Sequence, residues 1–201
     1  MMTGFETRPE DGGLAGEWSW IRGNEGDWRV GEDGRLLIRI RPGTIYGEEN
    51  TARNLLVRPL PEDADAVQAN VEIRLKLPFE QAGLLWYYDD DHYIKLVFEL
   101  LPEGRHVVLV REEGAVASVA AKAAVDTDRV ALRLALAGDG QAVEASCRQS
   151  EAEDWTAIGR CPAFGRGTEG LQAGVFGHCG SDEEEHWAAF GGFEVSREAV
   201  R

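Results

Sequence analysis

Apolar and polar residues alternate with a period of two along much of this chain. The clearest run spans residues 67–77, in which every second residue is apolar: Val67, Ala69, Val71, Ile73, Leu75 and Leu77. Because successive side chains of a strand point to opposite faces, this run predicts a strand with one buried face. Similar short runs recur about a dozen times between Gly-, Pro- and Asp-rich turns, and no long amphipathic helix is evident. The pattern therefore predicts an all-β protein, and the length suits a β-sandwich.

Residues 81–99 are predicted to form a β-hairpin. Two runs rich in aromatic and aliphatic residues, 84–88 and 93–99, flank a polar cluster of three aspartates and a histidine. This arrangement is typical of two antiparallel strands joined by a tight turn. With Asp90 and Asp91 in the turn, each side chain of one strand is assigned a partner on the other.

That pairing sorts the hairpin side chains onto two faces. One face is nearly all apolar and is predicted to point into the core: Leu85, Tyr87, Ile94, Leu96 and Phe98. The other mixes aromatic, aliphatic and charged residues: Leu84, Trp86, Tyr88, Tyr93, Lys95, Val97 and Glu99. Rings beside a few directional polar groups are typical of ligand sites, so the second face is a candidate binding surface. The alternative is that its rings cover a second layer of the fold and its charges lie at a solvated rim.

Composition narrows the classes of function. A chain of 201 residues with a net charge of −15 is suited neither to nucleic acid nor to anionic membranes. No apolar run approaches the roughly 18 residues of a membrane span, and the first residues show no secretion signal, so we expect a cytoplasmic protein. We expect a flexible segment at 1–16, a single domain at 17–196 and a tail at 197–201.

Neither a cofactor nor a metal is predicted. The three cysteines, Cys147, Cys161 and Cys179, lack metal-type spacing and are expected to be free thiols. The acidic clusters at 89–92 and 182–186 could offer oxygen ligands to Ca²⁺, but a solvated turn or loop is the favoured interpretation. His178 and Cys179 are neighbours on a predicted strand, so their side chains are expected to diverge rather than form a nucleophile pair.

Five segments in this order resemble a known family: WSWIRGNEGDWRV, ARNLLVRPL, QAGLLWYYDDDHYIKLVFE, LQAGVFGH and WAAFGGFEV. It is the concanavalin A-like jelly-roll family that contains the regulator-of-enolase protein, and the pattern is also similar to the C-terminal β-sandwich of β-xylosidase-type glycoside hydrolases. The resemblance implies two stacked antiparallel sheets, one of them concave. It further implies that one set of residues lies on or near the concave sheet: Asn54, Trp86, Tyr88, Lys95 and His178.

The resemblance favours a non-catalytic protein. Catalytic members of the wider jelly-roll superfamily carry a Glu-x-Asp-x-(x)-Glu arrangement along one strand, which no strand predicted here contains. A hydrolase with an unconventional acid pair is the weaker alternative, for which only Glu99 is a candidate.

The leading hypothesis is a lectin-like module that binds carbohydrate or another small polar ligand. Trp86, Tyr88 and Tyr93 would stack on the ligand, and the hydrogen-bonding residues would be Asn54, Lys95, Glu99 and His178. The alternative is a regulatory protein–protein module that contacts an enzyme of sugar metabolism or forms a homodimer, since exposed aromatic patches also mark protein interfaces.

Overall fold

The computed structural model describes residues 5–8, 13–164 and 170–196, so the predicted tail at 197–201 lies outside the described residues. The described chain contains a short 3₁₀ helix (Glu25–Asp27) and fourteen strands: β1 (Ser19–Ile21), β2 (Trp28–Val30), β3 (Leu36–Arg39), β4 (Leu55–Pro59), β5 (Ala66–Glu72), β6 (Gln81–Asp89), β7 (His92–Leu101), β8 (Gly104–Glu113), β9 (Val116–Ala124), β10 (Arg129–Leu136), β11 (Ala142–Arg148), β12 (Thr156–Pro162), β13 (Gln172–His178) and β14 (Trp187–Ser196). No helix within these ranges is long and apolar enough to cross a membrane.

The strands form two antiparallel sheets of seven, which confirms the predicted sandwich. The front sheet has the order β1-β4-β13-β6-β7-β8-β9, and the back sheet has the order β12-β11-β10-β5-β14-β3-β2. The predicted strand at 67–77 is shorter in the structure and ends at Glu72. Beyond it Ile73 and Leu75 remain buried, whereas Leu77 is exposed just before Pro78.

The main core lies between the sheets and consists of the apolar face of each strand. Its members from the central hairpin are Ala82, Leu84, Trp86, Ile94, Leu96 and Phe98. Phe5 and Leu14, from the segment predicted to be flexible, are also buried in this core. The division of the chain into one domain and two end segments otherwise stays a prediction.

The pairing within the hairpin differs from the predicted one because β6 contains a β-bulge. Tyr87 pairs with Tyr93 and Asp89 pairs with His92, so Tyr88 is the extra residue between these pairs. One inserted residue reverses which face every preceding side chain of the strand occupies. Trp86 therefore points into the core, whereas Leu85 and Tyr87 lie on the outer face.

The outer face of the front sheet is partly covered by the segment 40–54. A second apolar cluster forms there, which combines Ile45 and Ala52 from this segment with strand residues: Leu55, Val57, Leu85, Tyr87, Tyr93, Val97, Val108, Val110 and Phe176. The faces predicted for β7 are confirmed, since Ile94, Leu96 and Phe98 belong to the main core while Tyr93 and Val97 belong to this second cluster.

Candidate functional site

The outer face of the front sheet carries a pocket of about 660 Å³. This is within the usual size of small-molecule sites, roughly 300–1,000 Å³. Its walls are mainly apolar side chains from β7, β8 and β9: Leu101, Val108, Val110 and Val119. Two half-exposed rings, Tyr46 of the covering segment and Phe79 before β6, form its rim.

Lys95 lines this pocket from the middle of β7. Its side chain is only 2% exposed, between Leu85 and Val110 on the neighbouring strands. Its ammonium lies 5.7 Å from the ring centre of Tyr46 and 5.9 Å from that of Tyr93. No described residue accepts a hydrogen bond from it or forms an ion pair with it. Burial lowers the pKa of Lys95 to about 8, although nearby Glu99 opposes the shift.

Glu99 lines the same pocket four residues further along β7. The Gln81 side-chain amide donates a hydrogen bond of 2.9 Å to Glu99 Oε1 and another of 3.1 Å to the Phe79 carbonyl. Burial raises the pKa of Glu99, and the charges of Lys95 and His106 oppose that shift. The carbonyl oxygen of Gln81 is buried and has no hydrogen-bond partner among the described residues. Gln81 therefore carries an unused acceptor next to the Glu99 carboxyl group at this pocket.

Tyr93 and Glu112 attach the covering segment to the sheet. The Tyr93 hydroxyl donates to Glu112 Oε2 at 2.6 Å and also contacts the Ile45 carbonyl oxygen. The backbone N–H of Gly47 donates to the same carboxylate oxygen at 2.9 Å. These bonds fix the backbone on both sides of Tyr46, and burial raises the pKa of the Tyr93 phenol well above its ordinary value. The other oxygen of Glu112 is buried without a described partner.

His178 and Cys179 lie beside Lys95 at the end of β13. The His178 ring stacks on Phe176 and its Nδ1 lies 2.9 Å from Cys179 Sγ. The two side chains were predicted to diverge, which is wrong because Cys179 has a left-handed backbone with φ of 63°. Burial and the Lys95 charge hold the pKa of His178 well below its ordinary value, and burial raises that of Cys179 to about 11. Cys179 lines the pocket, whereas His178 Nε2 is buried and without a described partner.

Three of the predicted site residues lie away from the pocket. Trp86 is 3% exposed and packed between the sheets, which corrects its predicted position on the outer face. Tyr88 packs edge-on against Phe164 at 5.3 Å, beside the same core. Asn54 is buried with φ of 57°, and its Oδ1 accepts a 2.7 Å hydrogen bond from the Asn24 N–H. Asn54 therefore stabilises the chain between β1 and the 3₁₀ helix.

Of the remaining predicted residues, Lys95 and Glu99 line the pocket, and Tyr93 and His178 pack next to it. Sequence reasoning missed Gln81, Glu112 and the rim residues Tyr46 and Phe79. For Glu112 a signal existed, since the outward face of β8 continues from Val108 and Val110 to this residue. The rim residues lie in loops, where a period-two pattern does not predict which way a side chain points.

The acidic turn between β6 and β7 is held by groups of the protein itself. Asp90 accepts hydrogen bonds from Arg22 at 2.6 Å and from the Tyr87 hydroxyl at 2.9 Å. Asp89 lies 2.7 Å from His92 Nδ1. Within the described ranges, no three histidine, cysteine or acidic residues are grouped as metal ligands would be.

Comparisons with known proteins agree with this architecture. The family model of the β-xylosidase C-terminal concanavalin A-like domain matches residues 10–196. A search of curated proteins gave no significant match. Among solved structures, the GH43 protein BlXynB from Bacillus licheniformis superimposes with a TM-score of 0.73 at 17% identity, over 87% of this chain and 35% of that one.

Two further structures show the same fold. Xylan β-1,4-xylosidase from Bacillus halodurans gives a TM-score of 0.72 at 15% identity, over 89% of this chain and 36% of that one. A functionally unknown protein from Saccharomyces cerevisiae gives 0.71 at 14% identity, over 91% of this chain and 97% of that one. This chain thus spans little more than a third of the length of the two bacterial proteins, and at these identities the likeness concerns the fold.

Proposed function

Because this chain belongs to the family of β-xylosidase C-terminal concanavalin A-like domains, we propose that it is a non-catalytic module that binds carbohydrate. The observation that carries this proposal is the front-sheet pocket, which combines apolar walls with buried polar groups lacking partners. Buried polar groups in proteins are nearly always hydrogen-bonded, so unpartnered ones beside a pocket favour a polar ligand. Another small polar ligand would satisfy the same groups.

The binding mode differs from the one that the hairpin pattern predicted. Tyr46 and Phe79, at the pocket rim, would stack on the apolar face of a sugar ring in place of Trp86 and Tyr88. Lys95 would donate to sugar hydroxyls, and Gln81 Oε1 would accept from them. The named activity of a structural neighbour, a xylan β-1,4-xylosidase, makes xylose and xylo-oligosaccharides the first sugars to test.

The test is titration calorimetry and thermal shift with xylose, arabinose and xylo-oligosaccharides, using two matched variants of β9. Val119 lines the pocket and is 54% exposed, so Val119→Trp should fill the pocket without disturbing the core. Val116, at the start of the same strand, is 72% exposed and lies outside the pocket lining. A ligand at about 100 times its dissociation constant adds roughly 2.7 kcal/mol of stability, which a melting curve detects readily.

We expect at least one saccharide to bind the wild type and Val116→Trp equally, and to bind Val119→Trp about tenfold more weakly or worse. Two results contradict the proposal: no detectable binding of any saccharide tested, or equal binding of a saccharide by both tryptophan variants.

The second candidate is a regulatory protein–protein module in sugar metabolism, or a homodimer, as the resemblance to the regulator-of-enolase family also suggests. It is favoured by the apolar residues at and near the pocket, since Tyr46, Phe79, Val116 and Val119 are all exposed. Such a patch is typical of an interface. Sedimentation velocity of the full chain discriminates, because Val119→Trp and Val116→Trp should both shift a dimer equilibrium, whereas only Val119→Trp should affect a pocket ligand.

A hydrolase is the weaker candidate and has one supporting observation. Glu99 and Glu103 both line the pocket, and their environments move their pKa values apart: burial raises that of Glu99, and the Lys122 hydrogen bond lowers that of Glu103. Acid and base pairs of glycosidases are tuned in this way. Release of reducing sugar in the binding assays, lost in Glu99→Gln, would support this candidate. The cytoplasmic location stays a prediction.

A further inference from the structure

We propose that Lys95 is a covalent capture site, at which its amine condenses reversibly with a small aldehyde to form an imine. The proposal rests on the proposed function only in placing a small ligand in the same pocket, and it adds a chemistry that sugar binding does not require. Lys95 combines two features of a reactive amine: it lines the front-sheet pocket, and no described group engages its nitrogen in a hydrogen bond or ion pair.

The other two lysines of this chain are held in ion pairs, unlike Lys95. The chain has three lysines in all. Lys122 lines the same pocket but forms an ion pair with Glu103, and Lys76 forms one with Glu184 at 2.6 Å. Lys95 instead lies between Leu85 and Val110, with two tyrosine rings near its ammonium, and a buried ammonium without a hydrogen-bond or ion-pair partner is destabilising. The burial of this amine is therefore better explained by a chemical role than by stability.

The surroundings favour the neutral amine, which is the nucleophilic form. Charged and titratable groups face Lys95 from several elements: Glu99 on its own strand, Glu112 on β8, His178 and Cys179 at the end of β13, and the rings of Tyr46 and Tyr93 at 5.7 and 5.9 Å from its ammonium. Their net effect is smaller than that of burial. With a pKa of about 8, about a fifth of Lys95 is neutral near pH 7.4, compared with about 0.1% for an ordinary lysine.

The condensation balances without any oxidant or reductant. The Lys95 nitrogen attacks the carbonyl carbon, the C=O π electrons move to oxygen, and a proton passes from nitrogen to that oxygen to give a carbinolamine. The nitrogen lone pair then forms the C=N bond while the C–O bond breaks, the oxygen leaves as water with a proton from Glu99, and the iminium nitrogen gives its proton to the Glu99 carboxylate. Glu99 is suited to this exchange because it lines the same pocket and burial raises its pKa, which favours the protonated carboxyl.

The pocket also selects the class of carbonyl compound. Its walls near Lys95 are Val108, Val110 and Val119, which favour an aliphatic or aromatic aldehyde over a charged keto acid. The chain carries a net charge of −15, which also disfavours anionic ligands.

The test uses the full chain, propanal as the probe, and cyanoborohydride to reduce the imine to a stable secondary amine. Peptide mapping by mass spectrometry then compares the labelling rates of Lys95, Lys76 and Lys122 in one sample. We expect Lys95 to be labelled at least about tenfold faster than either of the other two near pH 7.5, in line with its larger neutral fraction. Its rate should level off above about pH 8, whereas theirs should keep rising.

Variants make the result specific to the pocket. Lys95→Arg should remove the fast label, Val119→Trp should slow it, and Val116→Trp should leave it unchanged. Labelling of Lys95 no faster than Lys76 or Lys122 overturns the proposal. Saccharide binding without fast labelling would leave the proposed function standing and reject only the imine. Fast labelling without saccharide binding would support the imine and reject the proposed function.

Discussion

The two faces of the front sheet are built from the same strands but differ in the side chains that they bury and in what covers them. On the inner face of the hairpin, Trp86, Ile94 and Leu96 pack into the main apolar core between the sheets. On the outer face, one residue along, β7 carries Tyr93, Lys95 and Glu99, all of them buried. The inner face is covered by a whole sheet, whereas among the described residues the outer face is partly covered by the segment 40–54, which leaves a pocket.

This difference separates side chains that stabilise the fold from side chains that are buried at a cost in stability. An apolar side chain on the inner face contributes its full burial to stability. Lys95 on the outer face is destabilising where it is, because burial removes the hydration of its ammonium without supplying a hydrogen-bond or ion-pair partner among the described residues. Removing an apolar side chain from the inner face and removing the Lys95 charge from the outer face should therefore change stability in opposite directions.

The largest expected effect is on the inner face. Trp86→Ala removes a buried indole from a packed core and should lower the free energy of unfolding by about 3–5 kcal/mol. Urea denaturation followed by circular dichroism measures this. Trp155→Ala is the control, since Trp155 is half-buried and contacts Arg148 at the surface. A Trp86→Ala protein as stable as that control would mean that Trp86 is not a core residue.

The hairpin also shows how far sequence patterns reach. The faces of β7 were predicted correctly, because alternation is a local property of a regular strand. The faces predicted for β6 were wrong because a bulge at Tyr88 interrupts that alternation. Both Trp86 and Tyr87 are large and aromatic, so composition alone does not reveal which one the core receives.

The second effect is on the outer face and has the opposite sign. Lys95→Met keeps the length of the side chain and removes its charge, so it should raise the free energy of unfolding by roughly 1–4 kcal/mol at neutral pH. Parallel urea titrations of wild type and variant measure the difference. The matched control is Lys122→Met, which removes an exposed ion pair with Glu103 and should change stability by less than about 1 kcal/mol.

The pH dependence of that difference follows from the Lys95 pKa. Burial lowers it to about 8 in the folded chain, while the unfolded chain keeps the ordinary value of 10.5. Between these values the unfolded state binds more protons, so wild-type stability gains on the variant as pH rises. The advantage of Lys95→Met should be fully present below about pH 8 and shrink toward about pH 10. A difference that stays constant over this window would mean that Lys95 keeps its charge when buried.

The candidate site was only partly predictable because its parts come from distant segments. Lys95 and Glu99 follow from the alternation of β7, but the rim residues Tyr46 and Phe79 lie in irregular segments that are far apart in the chain. The left-handed backbone at Cys179, which brings Sγ to His178, likewise depends on packing of the folded chain. Period-two patterns assign faces within a strand and do not specify which loop covers them.

The smallest effect compares two tyrosines of the outer face by the same chemical change. Tyr93→Phe removes a buried hydroxyl that bonds Glu112 and contacts the Ile45 carbonyl, so it should lower the free energy of unfolding by about 1–3 kcal/mol. Tyr46→Phe changes a half-exposed ring at the pocket rim and should alter stability by no more than about 0.5 kcal/mol. Because Tyr93 and Glu112 attach the covering segment, amide hydrogen exchange of Gly47 should also accelerate in Tyr93→Phe and not in Tyr46→Phe. Equal exchange in the two variants would mean that the segment is held by its apolar residues Ile45 and Ala52 alone.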